Sequence, residues 1–152
     1  MKKYIKGFTL IELLVVIAII GLLSTLSIVS LSSARSKARD AKRVSDMRQI
    51  GTVMEVYASD NATYAVTGCA SSAVSQCTNT EFDELLPNYA DFIDPSEATT
   101  ACRAGSGSGC TYAFGATMDD NEYSIYFFTE NDNVQGLADG LTAHTMNTVG
   151  LD

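Results

Sequence analysis

One carboxylate of this sequence, Glu12, lies inside an apolar segment where an acid is costly. The segment from Phe8 to Leu31 contains no other charged side chain, and about 20 apolar residues are enough to cross the roughly 30 Å hydrocarbon core of a bilayer as a helix. An acid in such a helix costs on the order of 3 kcal/mol. Either Glu12 reaches the headgroups at the end of the span, or it pairs with a basic group. The second interpretation makes Glu12 a functional residue.

The other polar side chains do not indicate catalysis. His144 is the single histidine, and the sequence has no nucleophile elbow, no phosphate-binding loop and no paired metal motif. We expect His144 to be an exposed residue of the C-terminal tail. We therefore predict that the chain is not an enzyme.

Two acidic clusters offer hard oxygen atoms, which are the ligands that calcium prefers. The first contains Asp119 and Asp120, and the second contains Glu130 and Asp132. Neither cluster has the spaced acids and the glycine of an EF-hand loop, so turns on a solvated surface are the favoured interpretation. We predict no cofactor and keep weak calcium binding as the alternative.

The four cysteines form two pairs with the same spacing. Cys69 and Cys77 are eight residues apart, as are Cys102 and Cys110. We favour these two local disulfides because each closes a short loop rich in Ser, Gly or Ala, and crossed pairs are the alternative. Small exported domains often need such bonds to supplement a marginal core. A zinc site is disfavoured because CxxC spacing is missing and only one histidine is present.

The N-terminal residues carry a family resemblance. A short basic segment with three lysines, residues 1–6, ends at Gly7, and Phe8-Thr9-Leu10-Ile11-Glu12 then opens the apolar run. This arrangement resembles the class III leader of type IV pilins and of type II secretion pseudopilins. The resemblance implies cleavage by a prepilin peptidase between Gly7 and Phe8, and N-methylation of Phe8. It also implies that Glu12 pairs with the N-terminal amine of a neighbouring subunit during filament assembly.

The same resemblance implies a function and a set of partners. The chain would be a structural subunit of a type IV pilus or pseudopilus, first held in the inner membrane as a single-pass precursor with its N-terminus inside. Its partners would be the prepilin peptidase, membrane lipid before assembly, the inner-membrane assembly platform, and identical or homologous pilin subunits in an extracellular or periplasmic filament. The sequence does not separate a pilus from a pseudopilus.

This N-terminus has two other interpretations. A membrane-anchored extracytoplasmic module that binds a ligand or surface, and does not polymerise, is the alternative function. A conventional secretory signal is disfavoured because its apolar region would be too long and would contain an acid.

A single helix of about 50 residues is predicted, since no proline lies between Phe8 and Ser59. Glu12 lies near the start of this helix. Its first half is apolar all round, and its second half has one apolar face with steps of three and four. Many type IV pilins carry a proline about three turns into this helix. Residues 26–30 lack one, so a kink between Gly21 and Ser30 is not assured. Serines that recur every third residue allow either close helix packing or bonds to backbone carbonyls one turn earlier: Ser24, Ser27, Ser30 and Ser33.

The remaining residues predict a small antiparallel head, which gives an α+β, pilin-like fold. Residues 111–116 and 123–129 read as a hairpin, a third strand is expected within residues 134–145, and a short helix is expected to begin with Thr80 as its N-cap. The predicted organisation is a leader at 1–7, a transmembrane and assembly helix at 8–31, its amphipathic continuation at 32–59, and the head at 60–152.

Charge is sharply divided along the chain. Residues 35–48, which we call the basic collar, carry six basic and two acidic side chains, whereas residues 50–152 carry 15 acids and the single base Arg103, a formal charge of −14. Such a head repels nucleic acid, so DNA binding is disfavoured and any DNA contact must use the collar. We expect the collar to be a solvated face or to contact neighbouring subunits, with Arg39 and Arg43 attracting their acidic heads.

Overall fold

The structure is a computed structural model that describes residues 7–104, 109–137 and 143–151. The lysines of the predicted leader lie outside the described residues. Helix α1 comprises Leu10–Asn61, 52 residues, which confirms the long helix and extends it two residues beyond the predicted end at residue 59. The helix is uninterrupted between Gly21 and Ser30. The chain divides into two compact units within α1, between Arg35 and Ser36.

The first unit contains the apolar half of α1. Every residue from Gly7 to Arg35 is exposed, and an 18-residue window with a mean hydropathy of 2.7 contains no buried residue. Ser24 donates to the Ile20 carbonyl at 2.7 Å and Ser27 to the Leu23 carbonyl at 2.9 Å. These two serines therefore adopt the back-bonded arrangement. By length and composition this segment is able to span a membrane.

The second unit has its core on the apolar face of α1 that the sequence predicted. The buried side chains of that face follow the three- and four-residue spacing of one helix surface: Val44, Met47, Ile50, Met54 and Tyr57. They pack against aromatic and aliphatic side chains from the rest of the unit, among them Phe82, Tyr112, Phe114, Ile125 and Phe127. Each fully buried side chain of this kind contributes about 1.5–3 kcal/mol, so this face fixes α1 to the head.

A four-stranded antiparallel sheet lies across that core. Its strands are β1 (Ala113–Phe114), β2 (Ser124–Phe128), β3 (Ala143–Asn147) and β4 (Gly150–Leu151), in the order β1-β2-β3-β4. The hairpin predicted from residues 111–116 and 123–129 is confirmed as β1 and β2. Within β2, Ile125 and Phe127 face the α1 core, while Phe128 packs in a second cluster with Cys102 and Cys110. The α+β fold is therefore the predicted one.

The approach of α1 to this sheet is close at Gly51. A Cβ added to Gly51 would clash with the terminal methyl of Met146 and lie 3.4 Å from the Tyr123 hydroxyl. A glycine at this position of the helix gives the sheet the space that a side chain would fill.

Three local predictions need correction or adjustment. The N-cap of α2 (Thr80–Leu85) is Asn79 rather than Thr80, because the Asn79 side-chain oxygen accepts from the Phe82 amide at 2.9 Å. The third strand lies at the C-terminal edge of the expected window, and residues 138–142 of that window lie outside the described residues.

His144 was expected to be an exposed tail residue, and this was wrong. It is 3% exposed because β3 pairs it with Phe127 of β2.

The two local disulfides that the sequence favoured are present. Cys69 bonds Cys77, with their Cα atoms 4.6 Å apart, and Cys102 bonds Cys110, with their Cα atoms 4.9 Å apart. The first joins the main core cluster and the second packs with Phe128. Each disulfide thus fastens one loop of the head to buried apolar side chains.

Candidate assembly site

Glu12 forms a reciprocal cap with Thr9 at the start of α1. The Thr9 amide and hydroxyl donate to Glu12 Oε2 at 2.9 and 2.6 Å, and the Glu12 amide donates to Thr9 Oγ1 at 3.3 Å. Because α1 begins at Leu10, Thr9 is the N-cap and Glu12 the third helical residue, which is the capping-box arrangement. The Thr-x-x-Glu pattern before an apolar run could have revealed this box in the sequence.

Gly7 and Phe8 precede the helix in non-helical backbone. The Phe8 side chain is 80% exposed, and no atom lies within 4 Å of the position that a Cβ on Gly7 would occupy. The described residues therefore give no steric reason for glycine at this position. The bond predicted to be cut lies in an accessible segment just before the capped start of α1.

In the second unit, Arg43 occupies the centre of a buried ion network. Its side chain is 0% exposed and donates twice to Asp94, at 2.6 and 2.8 Å, in the bidentate geometry that favours Arg–carboxylate pairs. It also donates to Asp40 at 2.6 Å and to Glu130 at 3.0 Å. The guanidinium carbon lies 4.5 Å from the centroid of the Phe128 ring, a cation–π contact.

The acids of this network are also held by groups other than Arg43. Asp40 accepts from the Glu130 amide at 2.9 Å and from the amide and side chain of Asn131 at 3.0 and 2.6 Å. Asp94 accepts from the Ser96 amide at 2.8 Å. In the described part of the chain, no buried side-chain N or O lacks a hydrogen-bond partner. The charges are therefore buried with the compensation that burial requires.

The network changes the acidity of its members. Hydrogen bonds from Arg39 and then Arg43 outweigh the effect of burial and lower the pKa of Glu130 to about 2. Burial alone would raise the pKa of Asp94, but hydrogen bonds from Arg43 and Ser96 hold it below its usual value. Burial also opposes the charge of Arg43, yet its bonds to Asp94 and Asp40 leave its pKa raised. These three groups are thus ionised at neutral pH.

These contacts overturn the expected role of the most prominent collar bases. Arg43 is buried inside its own head, and Arg39 donates to Glu130 of the same chain at 2.6 Å, so neither is a free charge for neighbouring subunits. Their acid partners Asp94 and Glu130 lie 51 and 91 residues further along the chain, where no local pattern points to them. Lys42 also has a partner within α1, since its Nζ lies 3.5 Å from Asp46.

The four acids considered for calcium do not come together as a cage. Glu130 is held by two arginines, and Asp119 Oδ1 accepts from the amides of Asn121 and Glu122 at 2.8 and 3.0 Å, which is turn chemistry. Asp120 and Asp132 are exposed. Among the described residues no group of three potential metal ligands is found.

Comparisons with known proteins agree with these features. Residues 2–28 match the sequence model described as the prokaryotic N-terminal methylation motif. The chain is 34% identical over 118 residues to the type IV wide pilus major component PilA4 of Thermus thermophilus, an alignment that covers 78% of this chain and 86% of that protein. No solved structure matches the chain significantly. A relative of this identity and coverage, together with the methylation motif at the start of a long apolar helix, shows that the chain belongs to the type IV pilin family.

Proposed function

We propose that this pilus subunit is made as a membrane precursor, is cleaved between Gly7 and Phe8, and then polymerises through α1. Phe8 would become the N-methylated first residue. The segments would be a leader at 1–7, a transmembrane and assembly helix at 8–31, an amphipathic helix at 32–59 and a head at 60–152. The observation that carries the proposal is the apolar half of α1, whose side chains are exposed in the single chain and which has the carboxylate of Glu12 near its start.

The exposed apolar surface requires a cover. Large side chains along residues 8–31 are 45–81% exposed in the single chain, far more apolar surface than a soluble monomer presents. Lipid can cover this surface before assembly, and identical helices can cover it afterwards. The serines that bond back to their own carbonyls leave few unsatisfied polar groups to oppose either cover.

Glu12 is suited to recognise a basic group while it caps its own helix. Both bonds from Thr9 reach Oε2, and none of the described residues donates to Oε1. Cleavage after Gly7 would create a positively charged amine at Phe8. We propose that Glu12 Oε1 accepts from the Phe8 amine of a neighbouring subunit, because such pairing removes the cost of an unpaired acid in an apolar bundle.

The proposed partners follow from this route. A prepilin peptidase would remove the leader, an inner-membrane platform would extract the mature subunit, and the head would lie on the extracytoplasmic side, with the N-terminus inside. The relative PilA4 is described as a major pilus component, and this favours a pilus over a secretion pseudopilus for the present chain.

Two variants separate the cap from the inter-subunit pair. Glu12→Gln keeps an acceptor for Thr9 but removes the charge, whereas Thr9→Val removes the hydroxyl of the cap and keeps the charge. We expect N-terminal sequencing to find methylated Phe8 in both variants. We expect sheared filaments to be lost in Glu12→Gln and retained in Thr9→Val.

Each outcome has a separate meaning. Normal filament amounts in Glu12→Gln would contradict the pairing role, and a mature N-terminus other than Phe8 would contradict the cleavage site. A wild-type chain found only in membranes, and never in sheared filaments, would instead support a membrane-anchored binding module.

A further inference from the structure

A groove on the second unit combines basic and amide side chains with apolar ones, and its lining also includes Asp40, which is already held by Arg43. It has a volume of about 720 Å³ and lies between one face of α1 and the segment 131–135. We call it the basic groove and define it by Lys37, Ser45, Arg48 and Gln49 of α1 with Asn133 opposite them. Ammonium, guanidinium and amide groups are donors that suit carboxylates. The chemistry of the lining therefore fits an acidic ligand.

The basic groove contains two of the three collar bases that have no ion pair among the described residues, and the third, Arg35, is not part of its lining. Arg39 and Arg43 are committed to acids of their own head, and Lys42 to Asp46. Within the described ranges, Lys37 and Arg48 have no acid within salt-bridge distance. As far as the described residues extend, these two bases can therefore pair with an acid of another molecule.

A complementary surface borders the basic groove beyond Arg48 on the same helix. The turn 119–122 carries the exposed acids Asp120 and Glu122, and Asp119 fixes the turn by accepting from two of its amides. Tyr64 holds the turn beside α1, because its amide donates to the Asp119 carbonyl at 2.9 Å and its hydroxyl donates to Glu55 at 2.8 Å. We call Glu55 and the turn 119–122 the acidic patch.

The positions of these two surfaces suit a repeating contact. Along α1, Lys37 is 18 residues from Glu55, about 27 Å at 1.5 Å per residue, whereas Arg48 is seven residues from Glu55, about 10 Å, and lines a shallow depression together with it. A filament needs a heterologous contact, in which one surface of a subunit meets a different surface of the next. The basic groove and the adjoining acidic patch are two different surfaces of one subunit, so they meet that requirement.

We propose that the basic groove of one subunit receives the acidic turn 119–122 of a second copy of the chain. This proposal rests on the proposed function, since it concerns the polymer. The contact places Lys37 and Arg48 opposite Asp120 and Glu122. It gives the charged heads a preferred register, which the uniform apolar half of α1 does not supply.

Charge exchange tests the contact and its location. In Lys37→Glu/Arg48→Glu, we expect sheared filament yield to fall roughly fivefold or more, since two attractive pairs become repulsive. Addition of Asp120→Lys/Glu122→Lys should restore most of the yield. The matched control adds Asp91→Lys/Glu97→Lys instead, which restores the same net charge at two exposed positions outside the patch, and it should not restore the yield.

The outcomes distinguish this proposal from the one on which it rests. If wild-type filaments with mature Phe8 form and the charge reversal leaves their yield unchanged, the groove contact is wrong and the proposed function stands. If both pairs of lysine substitutions restored the filament yield equally, the proposed contact would be wrong, because net charge alone would explain the result. Unchanged yield with lost binding to DNA or to anionic vesicles would assign the groove to a phosphate-bearing partner and would also overturn it.

Cross-linking provides a test that does not depend on variants. A carbodiimide joins a lysine amine to a carboxylate in direct contact, so intact wild-type filaments should give a Lys37–Asp120 or Lys37–Glu122 peptide between two chains. Detergent-dissociated subunits should not give it. The Lys42–Asp46 product within one chain should form in both samples and serves as the internal control. Filaments that yield this control product but no Lys37 product would refute the contact.

Discussion

Replacement of Arg43 by methionine tests whether the buried ion network holds the amphipathic half of α1 in the head. Methionine retains an unbranched apolar side chain over Phe128 but removes all four hydrogen bonds to carboxylates, which span 2.6–3.0 Å. It leaves Asp94, 1% exposed, and Asp40, also 1% exposed, without their cation. We therefore expect a large loss of stability from a single exchange on a helix.

The magnitude follows from what remains after the exchange. Hydrogen bonds to charged groups contribute about 1.5–3 kcal/mol each, so four of them would suggest a loss of about 6–12 kcal/mol. Asp40 keeps three donors from Glu130 and Asn131, and Asp94 keeps those of Ser96, which lowers the cost. Removal of one partner from a buried pair costs about 3–5 kcal/mol. We expect a loss of about 4 kcal/mol, in the middle of that range.

The matched control is Arg39→Met. Arg39 also binds Glu130, but its side chain is 36% exposed, and an exposed ion pair contributes about 0–1 kcal/mol. Addition of Asp94→Asn to Arg43→Met should recover part of the loss because it removes one of the unpaired charges. The double variant should therefore be more stable than Arg43→Met alone.

Urea unfolding of the full-length protein in mild detergent measures these differences. Six of the seven tyrosines lie between residues 57 and 126 and tryptophan is absent, so near-ultraviolet circular dichroism reports on the head. With a slope of about 2 kcal/mol per molar urea, the midpoint should fall by about 2 M in Arg43→Met. A fall no larger than that of Arg39→Met, or a double variant that is less stable than Arg43→Met, would refute the reasoning.

Two further predictions concern pH and packing. The pKa of Glu130 is lowered from 4.5 to about 2 in the folded chain, so the unfolded chain binds more protons between these two pH values. The free energy of unfolding should therefore fall by about 2 kcal/mol, after solvent screening, as pH is lowered through this window. Urea titrations of Glu130→Gln should show a smaller fall. Gly51→Val should lower the free energy of unfolding by about 1–3 kcal/mol because it overpacks α1 against Met146 and Tyr123. Gly51→Ala should be close to neutral, since only the flexible end of Met146 must move to accommodate the methyl group. Equal effects of the two variants would contradict the close approach of α1 to the sheet.

The elements that follow a local period were predictable from the sequence. The apolar face of α1 repeats every three or four residues from Val44 to Tyr57, and β2 alternates between its two faces; both patterns depend only on which neighbours share a surface. The local disulfides were favoured for a similar reason, since each closes a short loop. The Thr9–Glu12 cap was equally local, yet it was missed because Glu12 was interpreted only through its charge.

The network around Arg43 was not predictable in this way. Its partners Asp94 and Glu130 are 51 and 87 residues away in sequence, and a buried arginine has the same local appearance as a solvated one in a run of bases. The prediction that His144 is exposed was wrong for the same reason. Its burial depends on pairing with Phe127 across the sheet, and the polar residues around it in sequence do not indicate that contact. Long-range pairing decides both positions.

Because Arg39 and Arg43 form ion pairs within their own chain, attraction between neighbouring heads must come from other charged residues. Identical heads with a formal charge of −14 over residues 50–152 repel one another when they are packed side by side, and at about 0.15 M salt that repulsion is screened only beyond about 8 Å. Ion pairs inside a head reduce its charge but provide no attraction that points to a neighbour. Lys37 and Arg48 lie on the surface of the same helix without an internal ion pair in the described residues. Directional attraction between heads therefore depends on these two bases, and on Arg35 at the start of the collar, more than on Arg39, Lys42 and Arg43.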